Sequence, residues 1–308
     1  MAQKIERHTM HSVDLNKGAV LERGCVYIVP LLEQLSLSQR LSAIANPKSS
    51  TGRLDVFTRL ITDGASEFDR IDAGYHGPLY AEIAPRTFSI LARTGARLNQ
   101  MRIRRGEHRL TDSELTRLHQ QSPLVHSDVG TENISEGIAL TVDLQGAGDN
   151  GLIGYNARPH APLIDMEKIN HYDPVDFWEP IYAGTGTDSG LVLNPDDFYI
   201  LASREAVSVP PDHAAEMVAY DTLVGEFRVH YAGFFDPGFG WAEAGGEGTR
   251  AVLEVRSHDV PFLLEHGQTV GRLVYERLTD SPDRIYGQDI GSNYQKQTLA
   301  LAKQFRRG

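Results

Sequence analysis

The sequence predicts a mainly β protein with two tandem domains of sandwich, jelly-roll or barrel type. Three observations carry this. Short runs of β-branched and aromatic residues recur between Gly, Pro, Asp and Asn. Helical patterning is scarce. The chain also repeats itself at a long, nearly fixed interval. At an offset of 172 residues, Leu35-Ser36-Leu37-Ser38 is answered by Val207-Ser208-Val209-Pro210, and Glu82-Ile83 by Glu254-Val255. The same offset pairs Ile90-Leu91 with Phe262-Leu263 and Gly95 with Gly267. Between these anchors, Ile71-Asp72-Ala73-Gly74-Tyr75 meets Phe235-Asp236-Pro237-Gly238-Phe239 at an offset of 164. The two halves therefore differ in loop length around a shared framework.

In chain order, Cys25-Val26-Tyr27-Ile28-Val29 and Leu79-Tyr80-Ala81-Glu82-Ile83 are strand candidates of the first half. Asp197-Phe198-Tyr199-Ile200-Leu201 and Ala251-Val252-Leu253-Glu254-Val255 are their counterparts in the second. Thr111-Asp112-Ser113-Glu114 is a capping-box pattern that opens a short helix carrying Leu115 and Leu118. The resulting division is a first domain over 1–121, a polar linker over 122–137, a second domain over 138–278 and a tail over 279–308. A terminal helix is expected from Gln295 to Arg306.

Composition narrows the function classes. No stretch approaches 18 continuous apolar residues, and the N-terminus lacks an apolar signal-like run. The single cysteine, Cys25, suits a reducing compartment, so the cytoplasm is the expected location. A formal net charge of -11 argues against duplex DNA or an anionic membrane as partner. It leaves room for a small polyanion held by a few converging cations. None of the twelve histidines is followed two residues later by glutamate, so a zinc deaminase is not expected and no metal ligands are assigned. A P-loop is also missing from the sequence.

Three segments can carry chemistry. Lys48-Ser49-Ser50-Thr51-Gly52-Arg53 offers hydroxyls, a glycine and cations at both ends for phosphate oxygens. Taken alone it is equally an ordinary polar turn after Asn46-Pro47. Arg70-Ile71-Asp72-Ala73-Gly74-Tyr75-His76-Gly77 places an acid and an aromatic beside a tight bend that could hold a sugar, or it is a simple β-turn. Glu82 lies in an apolar strand. Facing inward, it would be desolvated and suited to proton transfer; facing outward, it is an ordinary solvated residue. In the second half, Ser49, Ser50 and Arg53 align with Asp221, Thr222 and Gly225. Anion binding is therefore expected to be lost there, while Asp236 and Glu254 remain.

These motifs resemble those of the dCTP deaminase and trimeric dUTPase superfamily. Lys48 to Arg53 is similar to its Arg-Ser-Ser-x-x-Arg element, with lysine for the first arginine. Arg70 to Gly77 followed by Glu82 is similar to its Arg-Ile-Asp-Pro-Gly-Trp-x-Gly and Leu-Glu elements, with Ala73 for the proline. Asn293-Tyr294-Gln295-Lys296-Gln297 resembles the deaminase tail. The resemblance implies two dUTPase-like distorted jelly-roll domains, a homo-oligomer with threefold arrangement, and hydrolytic deamination of dCTP to dUTP and ammonia. No transition metal is implied at the reacting centre, and Mg2+ accompanies the triphosphate. Carried over by position, Glu82, Ser49 and Arg53 are the catalytic group. Lys48, Ser50, Arg70, Asp72, Tyr294 and Gln297 bind substrate. The resemblance leaves two other readings: a dUTP diphosphatase in which Asp72 activates water, or a bifunctional deaminase-diphosphatase, and an inactive nucleotide-binding regulator.

Overall fold

A computed structural model of the chain describes residues 1–126, 134–146, 151–184, 190–219, 227–230, 233–242, 247–257, 259–286 and 299–307. The first 107 residues supply α1 (Ala2–His8), β1 (Ala19–Leu21), β2 (Tyr27–Ser36), β3 (Ser42–Pro47) and α2 (Ser49–Gly52). They continue with β4 (Val56–Thr62), β5 (Arg70–Ile71), β6 (His76–Pro85), β7 (Ile90–Ala92) and β8 (Asn99–Arg104). Next come α3 (Asp112–Gln121), β9 (Val125–His126), β10 (Ile138–Thr141), β11 (Leu152–Ala157), β12 (Ile164–Asp165), β13 (Trp178–Tyr182) and β14 (Leu191–Leu193). The remaining strands are β15 (Phe198–Val207), β16 (His213–Ala219), β17 (Phe227–His230), β18 (Phe234–Phe235), β19 (Thr249–Ser257), β20 (Phe262–Leu264) and β21 (Thr269–Arg277). The protein is thus mainly β, as its short β-branched runs predict.

Two compact units emerge. The first contains Met1–Glu107, Arg158–Phe177 and Ala302–Gly308; the second contains His108–Ala157 and Trp178–Leu301. Helix α3 falls in the second. Its N-terminus is closed by the expected reciprocal bonds: the Thr111 hydroxyl accepts from the Glu114 amide, and Thr111 N–H donates to the Glu114 carboxylate at 2.9 Å. Within 122–137, Leu124 is buried and β9 pairs with Ala206 and Val207 of β15.

The sequence repeat is a repeat of strand pairing. In the first unit β1 pairs β7, β2-β6-β4 form one sheet and β5-β3-β8 another. In the second, β14 pairs β20, β15-β19-β17 run in the same order, and β18-β16-β21 stand side by side. Turn geometry repeats too. Gly95 and Gly267 have φ of 89° and 79°, and Gly74 and Gly238 have 78° and 91°. These are left-handed conformations that glycine adopts without a Cβ penalty. Each unit has its own core. Leu37, Ala43, Ala45, Leu60, Ile71 and Leu79 cluster in the first. Ile138, Leu140, Val207, Leu273 and Tyr275 share one cluster in the second, and Tyr199, Leu201, Leu253 and Val255 another.

Two expected boundaries are corrected. The strand expected from Cys25 is β2, which begins at Tyr27, because the turn at Gly24 closes through Cys25 N–H to Glu22 O at 3.2 Å. The terminal helix is not formed over residues 299–307. There Lys303 and Gln304 give their carbonyls to Asn170, His171 and Tyr172 at 2.8–3.1 Å, and Arg306 N–H donates to Tyr172 O at 2.8 Å. These lateral bonds replace the i to i−4 ladder of a helix. Residues 295–298 of that expected helix lie outside the described residues.

Candidate active site

Pro47 ends β3, and the next six residues form the single turn α2 and its exit. Lys48 N–H and the Thr51 hydroxyl both donate to Leu98 O, at 2.9 and 2.8 Å, while Arg53 N–H donates to Ser49 O at 3.0 Å. Ser50 and Arg53 are each 6% exposed, whereas Lys48 and Ser49 stay partly open. Just downstream, Asp55 accepts from Arg86 N–H at 2.9 Å and from the Thr87 hydroxyl at 2.5 Å. The turn is therefore fixed both to the entry of β8 and to the chain leaving β6.

Glu82 lies near the middle of β6, the central strand of its sheet, between Ile28 of β2 and Arg59 of β4. Its neighbours Leu79, Tyr80, Ala81, Ile83 and Ala84 are buried. Glu82 itself is neither fully inward nor solvated: its side chain is 17% exposed and paired with Arg59. Arg59 Nε donates to Oε1 at 3.1 Å, and Nη2 binds the same oxygen. The guanidinium lies over two rings, 4.8 Å from the Phe57 centroid and 4.0 Å from that of Phe68.

Asp69 completes this cluster. It adopts a left-handed φ of 61°, gives its N–H to Leu60 O at 2.9 Å and accepts Leu60 N–H on its carboxylate at 2.6 Å. Its carbonyl accepts from Ala45 at 2.8 Å, so one residue ties β3 to β4 immediately before Arg70. Burial pushes the Asp69 carboxyl up to about 6, against the Leu60 amide and the Arg59 charge, which lower it; the Glu82 charge raises it further. Sequence reasoning missed Arg59 and Asp69. A cation inside the apolar run Val56-Phe57-Thr58-Arg59-Leu60-Ile61 was the available signal for the first.

The Arg70–Gly77 segment is more open. Arg70 pairs with Glu67 at 2.9 Å, with both side chains largely exposed. Asp72 is exposed and its carboxylate has no protein partner among the described residues. Gly74 is favoured by its left-handed φ of 78°; a Cβ there would also have to displace the flexible end of the Gln39 side chain. The Tyr75 hydroxyl donates to Pro78 O at 2.6 Å, which holds the ring over its own turn. The hydrogen bonds of Glu82 go to Arg59 and none to Ser49 or Arg53. Tyr294 and Gln297 lie outside the described residues, as do Asp221, Thr222 and Gly225.

The tail supplies a further cation. Lys303 is half-buried; burial first, and then the Lys48 charge, push its ammonium down. In the second unit, Glu254 holds the same ladder position as Glu82, between Ile200 of β15 and His230 of β17. It is 1% exposed, so solvent does not reach it.

Comparison with known proteins decides the family. The model of the 2'-deoxycytidine 5'-triphosphate deaminase N-terminal domain matches residues 1–107, and that of the C-terminal domain matches 111–305. The chain belongs to the dCTP deaminase family. It is an enzyme of that family, and the deaminase N-terminal model spans Lys48–Arg53, Arg70–Gly77 and Glu82 together. The chain resembles a crystal structure of 2'-deoxycytidine 5'-triphosphate deaminase from Agrobacterium tumefaciens. The identity is 58%, the TM-score 0.84, and the match covers 92% of this chain and 82% of that one. A Halobacterium salinarum protein named "dCTP deaminase, dUMP-forming" is 34% identical over 154 residues, 47% of this chain and 74% of that protein. A Beutenbergia cavernae protein of the same name is 33% identical over 140 residues, 44% and 69% of the two chains. Among the described residues, no helix of this deaminase is long and apolar enough to cross a membrane.

Proposed function

We propose that the protein hydrolyses the exocyclic amine of dCTP, releasing dUTP and ammonia, and that Glu82 moves the protons. The observation that carries this reading is the setting of Glu82. It is a carboxylate inside an apolar strand, held by a cation through one oxygen and still open to solvent, whereas its repeat partner Glu254 is sealed. The carboxylate takes a proton from water as the water oxygen bonds to C4 of cytosine. It passes that proton to N3, takes the second from the new C4 hydroxyl and gives it to the amine; the C4 carbonyl forms as the C4–N bond breaks, and ammonia leaves.

Ser49 and Arg53 orient the water and meet the charge that develops at the base; a buried guanidinium suits that task because the surrounding dielectric is low. Lys48, Ser50 and Arg70 bind phosphates. Two ammonium groups gathered in one unit, Lys48 and Lys303, repel each other, and a polyanion relieves that repulsion. Asp72 holds the deoxyribose, and Tyr294 and Gln297 close over the nucleotide. Mg2+ enters as the counter-ion of the triphosphate. The active form in this reading is a homo-oligomer with threefold arrangement.

A second reading is favoured by the printed names of the Halobacterium and Beutenbergia relatives, which are dUMP-forming. In it, dUTP is hydrolysed further to dUMP and pyrophosphate, with the exposed Asp72 activating the water. Incubation with dCTP and Mg2+, following ammonia, dUTP, dUMP and pyrophosphate, separates the two. Ammonia and dUTP in equal amounts are expected. dUMP rising in step with pyrophosphate establishes the second reading, and no ammonia from dCTP removes both. Glu82→Gln is expected to lose on the order of 10²–10⁴ in turnover while still binding dCTP.

A further inference from the structure

The Arg59–Glu82 pair is built more carefully than a surface ion pair needs to be. Register places the two residues directly opposite each other on β4 and β6, so the pair is set by the ladder and not by side-chain search. Both guanidinium contacts fall on Oε1. Among the described residues, Oε2 has no protein partner. The guanidinium cannot swing away easily. Phe57, two residues earlier on the same face of β4, lies against it, and Phe68 covers it from the loop before Asp69. Phe68 is 47% exposed, and its ring lies 4.0 Å from the Arg59 guanidinium. Asp69 bonds Leu60 through both its backbone and its carboxylate, locking the residue next to Arg59. The second repeat keeps the glutamate and the flanking isoleucine but has His230 where Arg59 stands.

We infer that Arg59 is a positioning residue for the reaction: it pins Oε1 of Glu82 so that Oε2 alone is presented to the water and the cytosine. The inference rests on Glu82 being the proton carrier. Phe57 and Phe68 act as the walls that keep the guanidinium in plane, and Asp69 fixes the strand that carries it. The geometry favours arginine over lysine, because a planar fork holds one oxygen through two donors whereas an ammonium is a point charge free to migrate between oxygens. The pair is mostly buried, with side-chain exposures of 31% and 17%, so breaking it also costs some stability. A positioning role adds a loss of turnover beyond that cost.

The test uses the full-length protein with dCTP and Mg2+. Arg59→Gln is expected to lower kcat about 10–100-fold, the scale reached when a reacting group is displaced by about an ångström, with KM changed less than about threefold. Turnover is read well below the variant's own Tm, so that a loss of folded protein does not register as a loss of kcat. Arg59→Lys should restore only part of kcat, and Phe68→Ala should lower it by a smaller factor. On a Glu82→Asp background, where the shortened carboxylate falls back from the fork, Arg59→Gln should add little, because residues acting as a unit are not additive. Wild-type kcat in Arg59→Gln overturns the inference. So does complete rescue by lysine, a loss of kcat that follows Tm, or an equal loss on the Glu82→Asp background. Near-normal turnover in Glu82→Gln is a different failure: it removes the proton carrier itself, and with it the reading on which Arg59 was placed.

Discussion

At the scale of single residues, Glu82 owes its setting to Arg59, whose guanidinium binds its Oε1 from the opposing strand. A carboxylate flanked by Tyr80, Ala81 and Ile83 stands out in any strand, and the repeat marks Glu254 as its counterpart. Nothing local says that Arg59 is its neighbour, because that depends on the register between β4 and β6, set by contacts far apart in sequence. Asp69 was hidden for the same reason. Its role comes from bonds to Leu60 and Ala45, on two different strands. It also makes a prediction about stability. Burial raises its pKa to about 6 in the folded state, against roughly 3.9 in an unfolded chain. The folded state therefore binds the extra proton between about pH 4 and pH 6. The associated stability is fully present below about pH 4 and is lost as pH rises through about 6, on the order of 3 kcal/mol. Asp69→Asn keeps an oxygen for the Leu60 amide and removes the titration. Thermal unfolding should show the variant gaining on the parent from pH 4 to 6.5 and holding the gain above it. Parallel Tm curves across that range would show that Asp69 does not titrate in this window.

At the scale of elements, local signals were read well and long-range docking was not. The capping box at Thr111 and Glu114 is written in four consecutive residues, and it forms as expected. The strand runs at Leu79–Ile83 and Ala251–Val255 also lie inside β6 and β19. The C-terminal segment has helix-compatible composition, yet residues 302–305 make a single turn, closed by Phe305 N–H to Ala302 O at 3.0 Å, and bond to 170–172. Tertiary packing overrides propensity here. Phe305 is buried, with its ring 5.2 Å from Phe177 and 6.5 Å from Tyr172, and Phe88 packs on Phe177 at 5.9 Å. This edge-to-face cluster makes the tail and 158–177 part of the first unit's interior. Phe305→Ala should cost about 3–5 kcal/mol, and lower Tm by about 10 °C or more. Amide exchange at residues 170–172 should quicken in parallel, since their partners are the carbonyls of 303 and 304. A Tm within about 2 °C of the parent, with unchanged exchange, would show that the tail is not part of that core.

At the scale of the whole molecule, a duplicated scaffold does not imply a duplicated site. The strand order β2-β6-β4 recurs as β15-β19-β17, with an isoleucine beside the glutamate in both ladders, so the framework has been kept. What differs is what chemistry needs. Glu82 is reached by solvent and Glu254 is not; Arg59 faces the first and His230 stands opposite the second. In sequence, Ser49 and Arg53 align with Asp221 and Gly225, and an aspartate repels the phosphate that a serine binds. The acidic chain as a whole, at a formal charge of -11, also makes every anion site depend on a few placed cations. Each chain should therefore hold one nucleotide. Calorimetric titration with a non-hydrolysable dCTP analogue and Mg2+ is expected to give one equivalent per chain. Arg53→Ala should weaken function by about 1.5–3 kcal/mol, the loss typical of a charged hydrogen-bonding group. A change at Gly225, which has no side chain to remove, should leave function nearly intact. Two equivalent sites per chain, or full activity in Arg53→Ala, would mean that the anion-binding residues lie elsewhere and that the second repeat has kept more than its fold.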